Sequence, residues 1–421
     1  MSYSNQMIEA IQNEQLSKAE DLLELALERD TLEELYALTE TLFDLGFLEE
    51  TKRVVTHLLT VDENDGLKLT LAELAIEEGN ELEAFEWIDQ VDEASPYYPQ
   101  SLLVAADYYQ VLDLPEVSKQ KLLEAKSLLP NEPVIDFALA ELLFASGDYR
   151  EAIASYEELL IQNHTEFAGT SIYGRLGNAY GAIGEWAEAE GYLKEAVEVK
   201  ETSDHLFQLG YIYFQQKEYE RANDLFSQVK ELDPSYTSVY TFLAQGYLEL
   251  NDEKKALESV EEGLYYDTHN AALYSMGAEA ALALGDEAKA EDFYKQAMLI
   301  EPDNLSLLLH LTNLLINQER YEDALPLVEE KVESGEEDPQ LFWNSAVIYN
   351  ELEVFDRARE HYDKAYPYLK ETPTFLKEYM YFLREDGDRV GYIQKAKEYL
   401  ALNPGDFEVS ELIKNEEYDE I

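Results

Sequence analysis

Residues Tyr173–Ala196 read YGRLGNAYGAIGEWAEAEGYLKEA, and one small residue in that stretch, Ala189, organises the whole chain. The same slot recurs as Ala19, Thr51, Ala84, Ser118, Ala152, Ala189, Ala222, Ala256, Ala290, Ala324, Ala358 and Tyr392. The spacings are 32, 33, 34, 34, 37 and 33 residues, then five in a row of 34. Twelve residues upstream of this ruler stands a second small residue in most copies: Ala72, Ala106, Ala140, Gly177, Gly210, Ala244, Ala278 and Ala346. Four residues downstream every copy is apolar, from Leu23 and Val55 to Tyr362 and Ala396. Proline closes five copies, at Pro96, Pro130, Pro234, Pro302 and Pro404. A period of this size marks stacked supersecondary units. Small residues twelve apart let the two helices of a hairpin approach closely, and a proline that cannot continue a helix marks the passage to the next unit.

Within the quoted stretch, Leu176-Gly177, Tyr180, Gly184, Trp186, Ala189, Leu193 and Ala196 resemble the pattern of the tetratricopeptide repeat (TPR) family. The resemblance covers nearly the whole chain, and the repeats are similar to those of bacterial all-TPR proteins of this length. It implies an all-α fold, an α-solenoid winding as a right-handed superhelix of about twelve helix-turn-helix repeats over residues 1–406. The weakest copies are at the ends, where Met7, Thr39, Thr51, Met380 and Tyr392 replace small residues, as capping repeats of a solenoid do. A three-residue insertion at Thr165–Thr170 predicts a kink. Residues 407–421 offer Phe407, Leu412 and Ile413 for a capping helix before an acidic tail.

Composition narrows the partners. The 421 residues carry 90 Asp plus Glu against 31 Lys plus Arg, a net charge of −59 spread along the whole chain. Such a surface repels phosphate backbones and anionic headgroups, so neither nucleic acid nor membrane is an expected partner, while basic protein surfaces are attracted. There is no cysteine, which excludes disulfides, thiolate nucleophiles and Cys-ligated metals. The N-terminal residues lack a basic region followed by an apolar one, and no run of 18 apolar residues occurs, so the cytoplasm is the expected location.

Chemistry is not visible. The six histidines, His57, His164, His205, His269, His310 and His361, fall in six repeats at six different places, without metal-ligand spacing. The acidic run Val61–Gly66 would put Val61 at the first ligand of a calcium loop, so that match fails. Gly174, Gly177, Gly181 and Gly184 suggest a phosphate loop, but no strand precedes them and no Gly-Lys-Ser/Thr follows. Neither a cofactor nor a metal is expected, and no catalytic residues stand out; an enzyme is the least favoured reading.

The resemblance further implies that the first helix of each repeat lines a concave groove. The column eleven residues before the ruler reads Glu40, Glu73, Asp107 and Glu141, then Asn178, Tyr211, Gln245, Glu279, Asn313, Val347 and Tyr381. Its first four members form a carboxylate ladder able to steer a Lys/Arg-bearing partner, with Glu33, Asp44 and Glu77 nearby. The columns fifteen and eight before the ruler pair Phe137 with Phe144, Gly174 with Gly181, and Phe207 with Phe214. Aromatic pairs flanking a side-chain-free trough would suit an inserted apolar group; alternatively Phe144 and Phe207 fill the space the glycines leave. Trp343 and Tyr381 extend the apolar track. TPR proteins that grip acidic C-terminal tails use lysine beside asparagine, whereas Asn178 accompanies Gly174 and Asn313 accompanies Leu309. The expected function is therefore a scaffold or adaptor whose groove binds a basic or amphipathic segment of a partner. A peptide-sensing regulator is the alternative.

Overall fold

The computed structural model describes residues 2–418, with side chains through residue 414; the expected acidic tail beyond that lies outside the described side chains. Twenty-five helices occur among the described residues, the first twenty-four alternating as antiparallel hairpin partners from Tyr3–Gln12 with Leu16–Arg29 to Pro373–Glu385 with Arg389–Leu402. The chain divides into two compact units, residues 1–212 and 213–421, each a stack of helical hairpins.

One backbone feature repeats without exception. Every first helix ends in a left-handed residue five positions before the ruler: Glu14, Gly46, Gly79, Asp113, Gly147 and Gly184 in the first unit, then Lys217, Asn251, Gly285, Glu319, Glu353 and Gly387 in the second. The next N–H reaches back to the carbonyl five residues earlier, as from Asn80 to Ala75 at 2.8 Å and from Val354 to Tyr349 at 2.8 Å. This bond satisfies an orphan carbonyl at the helix end and reverses the chain into the second helix. The end copies, weak in side-chain pattern, make the same turn. Half of these positions are not glycine, and an L-residue in that conformation carries about 1–2 kcal/mol of strain. Glu319→Gly or Glu353→Gly is therefore expected to stabilise the second unit by about 0.5–1 kcal/mol once glycine's greater unfolded-state freedom is discounted. Gly184→Ala should destabilise the first unit by about 1 kcal/mol. Shifts of the chemical-denaturation midpoint in the opposite directions would contradict this.

The ruler is buried throughout, including Thr51, Ser118 and Tyr392. Thr51 is accommodated because its hydroxyl donates to the Phe47 carbonyl at 2.8 Å. At Gly177 the small residue twelve places upstream makes room for a leucine of the second helix. A Cβ on Gly177 would collide with the side chain of Leu193, four residues after the ruler, not with the ruler alanine itself.

In the first unit, the N-terminal helix is anchored by Asp30, whose carboxylate accepts the Tyr3 N–H at 3.1 Å, the Ser4 N–H at 2.6 Å and the Ser4 hydroxyl at 2.7 Å. The insertion forms a small hairpin, Glu166–Phe167 against Thr170–Ser171, turning through Ala168 and Gly169 with φ of 46° and 79°. Two successive positive φ values match the twist of paired strands. In the second unit, the helix Phe407–Tyr418 covers the end of the core through Val409 and Ile413. Leu412 is half-buried, and Phe407 is exposed instead of packed.

Candidate partner-binding surface

The four ladder carboxylates do not present four equal charges. Glu40 is exposed and unpaired among the described ion pairs. Glu73 is half-buried, and burial together with the neighbouring charge of Asp107 pushes its carboxyl up to about 7. Asp107 keeps an open side chain, yet the protein packed around it pushes its carboxyl up to about 6. No described lysine or arginine pairs with either; Asp107 accepts only a 3.3 Å bond from Gln110. Glu141 is committed elsewhere: it accepts the Arg175 guanidinium at 2.7 Å and a hydrogen bond from the Tyr156 hydroxyl. The ladder therefore combines an exposed Glu40, raised carboxyls at Glu73 and Asp107, and a Glu141 already paired with Arg175. Glu33, Asp44 and Glu77 are exposed.

The aromatic track is largely committed to internal contacts. Phe137 stacks on Phe167 of the inserted hairpin, with ring centroids 5.1 Å apart and planes at 16°. Phe144 meets Tyr149 edge-on at 5.4 Å, and the Arg175 guanidinium lies 5.6 Å from its ring centroid. The trough expected at Gly174 and Gly181 is not open. A Cβ on Gly174 would stand 3.1 Å from His205 Nε2, and one on Gly181 would stand 2.8 Å from Ile212 Cδ1. These glycines let the next helix approach, and His205 and Ile212 occupy the space assigned to Phe144 and Phe207. Asn178 and Phe207 are half-buried, and Tyr211 is 39% exposed. Phe214 belongs to the second unit, where it packs on Tyr219, Phe226 and Phe242 at 5.2, 6.4 and 5.3 Å. Also in the second unit, Trp343 donates its indole N–H to Glu378 at 2.6 Å and meets Phe375 edge-on at 5.5 Å.

Arg175 is the residue that sequence reasoning missed. It follows Glu141 by 34 residues, but the insertion lengthens the local spacing to 37, so Arg175 stands three places earlier in its repeat than Glu141 does in its own. Column comparison pairs Glu141 with Asn178 instead, which is why the ion pair was not legible in the register. No helix among the described residues is long and apolar enough to cross a membrane.

The hairpin stack with its recurring left-handed turn and small-residue columns defines a class: the chain belongs to the tetratricopeptide repeat family. Profiles of YpiA-like tetratricopeptide repeats match residues 110–164 and, in their C-terminal form, 339–406. General tetratricopeptide profiles match residues 175–237 and 281–342. The chain is 33% identical over 373 residues to the TPR repeat-containing protein YpiA of Bacillus subtilis (strain 168), covering 88% of each. It is 26% identical over 142 residues to mouse tetratricopeptide repeat protein 16, covering 32% of this chain and 18% of that one. Similar solved structures include YrrB, a TPR protein with an unusual peptide-binding site, at 16% identity, TM-score 0.40, and 45% and 97% coverage of the two chains. The APC/C hetero-tetramer Cut9–Hcn1 matches at 13% identity, TM-score 0.41, with 97% and 95% coverage.

Proposed function

We propose that the chain is a protein-interaction scaffold and that Glu40, Glu73 and Asp107 receive a basic or amphipathic segment of a partner. Proteins of this family generally mediate protein–protein interaction; the observation that carries the finer reading is the half-buried Glu73 with the charge of Asp107 beside it, neither paired with a described lysine or arginine. A carboxylate held away from water without a counter-charge gains more from an arriving lysine or arginine than an exposed one does. The committed aromatic residues contribute less, and Glu141 contributes little because Arg175 already neutralises it.

The arriving cation favours the ionised carboxylates, so binding expels protons from Glu73 and Asp107. Affinity for a fluorescein-labelled peptide of alternating lysine and leucine is expected to rise severalfold between about pH 6 and pH 8, and to fall with added salt. Glu40→Lys with Asp107→Lys should weaken binding about tenfold, a loss of about 1.4 kcal/mol. Calorimetry in buffers of different ionisation enthalpy reads the released protons directly. Unchanged affinity in the double variant, or no proton release, would sink this reading.

A further inference from the structure

The second helix of the third hairpin, Glu81–Asp89, has 9 residues, whereas the other second helices run from 12 to 15. Its last turn is replaced by a polar turn: Asp92 accepts the Ala94 N–H at 2.8 Å, and the Ser95 hydroxyl donates to Asp65 at 2.6 Å. Side chain-to-backbone bonds of this kind compete with helix continuation. The shortening leaves a cavity of about 460 Å³ against the helix Tyr98–Val111. Its apolar wall includes Phe85, Ile88, Leu102 and Tyr108, with the Phe85 and Tyr108 centroids 6.4 Å apart and Phe85 44% exposed.

The rim decides what can enter. Asp89, Asp92 and Glu93 are exposed there and form none of the described ion pairs, while the single rim cation, Lys121, lies 3.7 Å from Glu124. They follow directly on the C-terminal end of a helix, whose dipole adds partial negative charge. Anionic segments are repelled, and a purely apolar one would leave the rim uncompensated. At 100° per residue, Tyr98, Leu102, Ala105 and Tyr109 lie on the side of their helix opposite Asp107, so this notch is separate from the carboxylate ladder.

We propose that the notch docks a partner segment that packs one large apolar side chain against Phe85 and Tyr108 and sets a lysine or arginine against Asp89, Asp92 and Glu93. Desolvated aromatic pockets supply the anchoring energy, and the rim supplies orientation and charge selectivity.

The test uses the full chain carrying Glu40→Lys and Asp107→Lys, which disables the ladder and separates the two surfaces. The probe is a fluorescein-labelled amphipathic peptide with one phenylalanine anchor and arginines one helical turn to either side, followed by anisotropy. Binding is expected to persist in this background, and Phe85→Ala or Glu93→Lys should weaken it about tenfold. Both side chains are exposed, and circular dichroism confirms the fold. Replacing the peptide's arginines by glutamate should abolish binding. Failure of the probe to bind, equal affinity in the Phe85→Ala variant, or equal affinity for the glutamate peptide would overturn the proposal. Self-association that disappears with Phe85→Ala would also overturn it, assigning the notch to a second copy of the chain.

Discussion

Lowering the pH from about 8 to about 5 is expected to shift the two units in opposite directions, the first gaining stability through Glu73 and the second losing it through His361. In the first unit the folded state holds the Glu73 proton up to about pH 7, against 4.5 for the free side chain. Between those values the folded chain binds more protons than the unfolded one, so stability falls as pH rises through the window. A shift of this size corresponds to about 2–3 kcal/mol, and the raised Asp107 carboxyl acts in the same sense. In the second unit His361 is 2% exposed, edge-on to Phe342 at 5.8 Å and Tyr349 at 5.2 Å, and burial lowers its imidazole from 6.5 to about 4. There the unfolded chain binds the extra proton, so stability is lost as pH falls from 6.5 towards 4, by up to about 3 kcal/mol.

Relief of self-repulsion in a chain of net charge −59 acts on both units alike, so the assignment rests on variants. Glu73→Gln should flatten the pH profile of the first unit and raise its stability at about pH 8; His361→Phe should protect the second at about pH 5. Hydrogen exchange read by mass spectrometry resolves the two units in one experiment. Profiles that keep their slopes in both variants would show that other groups govern them.

The second large effect is at Gly177. Its missing side chain is the space into which Leu193, fully buried, inserts. Gly177→Val forces that leucine or the helix Ile172–Ala182 to move, and is expected to cost about 3 kcal/mol. Leu193→Ala alone leaves a cavity and should cost about 2–5 kcal/mol. Combined, the two should cost less than their sum by at least about 1 kcal/mol, because each relieves the other's defect. Gly191, two residues before Leu193 in the helix Trp186–Val199, has open space where a Cβ would go. Gly191→Ala should therefore stabilise by about 1 kcal/mol from helix propensity alone. Strict additivity at Gly177 and Leu193, measured by chemical denaturation, would refute direct packing between them.

The repeat was legible because its signals are local and recur. A small residue that lets helices touch and an apolar residue one turn later recur in nearly every copy, and a proline after the second helix in five, so twelve weak copies outvote any one deviation. Even Thr51 and Tyr392, poor matches to the column, lie buried in it. The candidate surface was legible only as a list of positions. Column membership located Glu40, Glu73, Asp107 and Glu141, but their charge depends on burial and on what stands one repeat away.

By itself, then, the sequence determined the hairpin unit, its period, its stacking into an all-α array and its excess of negative charge, since these follow from spacing and composition. Tertiary structure decided the rest. It set Arg175 against Glu141, left Glu73 and Asp107 without a cation, laid Phe167 over Phe137, filled the glycine trough with His205 and Ile212, and opened the notch beside the shortened helix Glu81–Asp89. The physical reason is that solvation and counter-charge are properties of the space between repeats, which periodicity identifies and only packing fills.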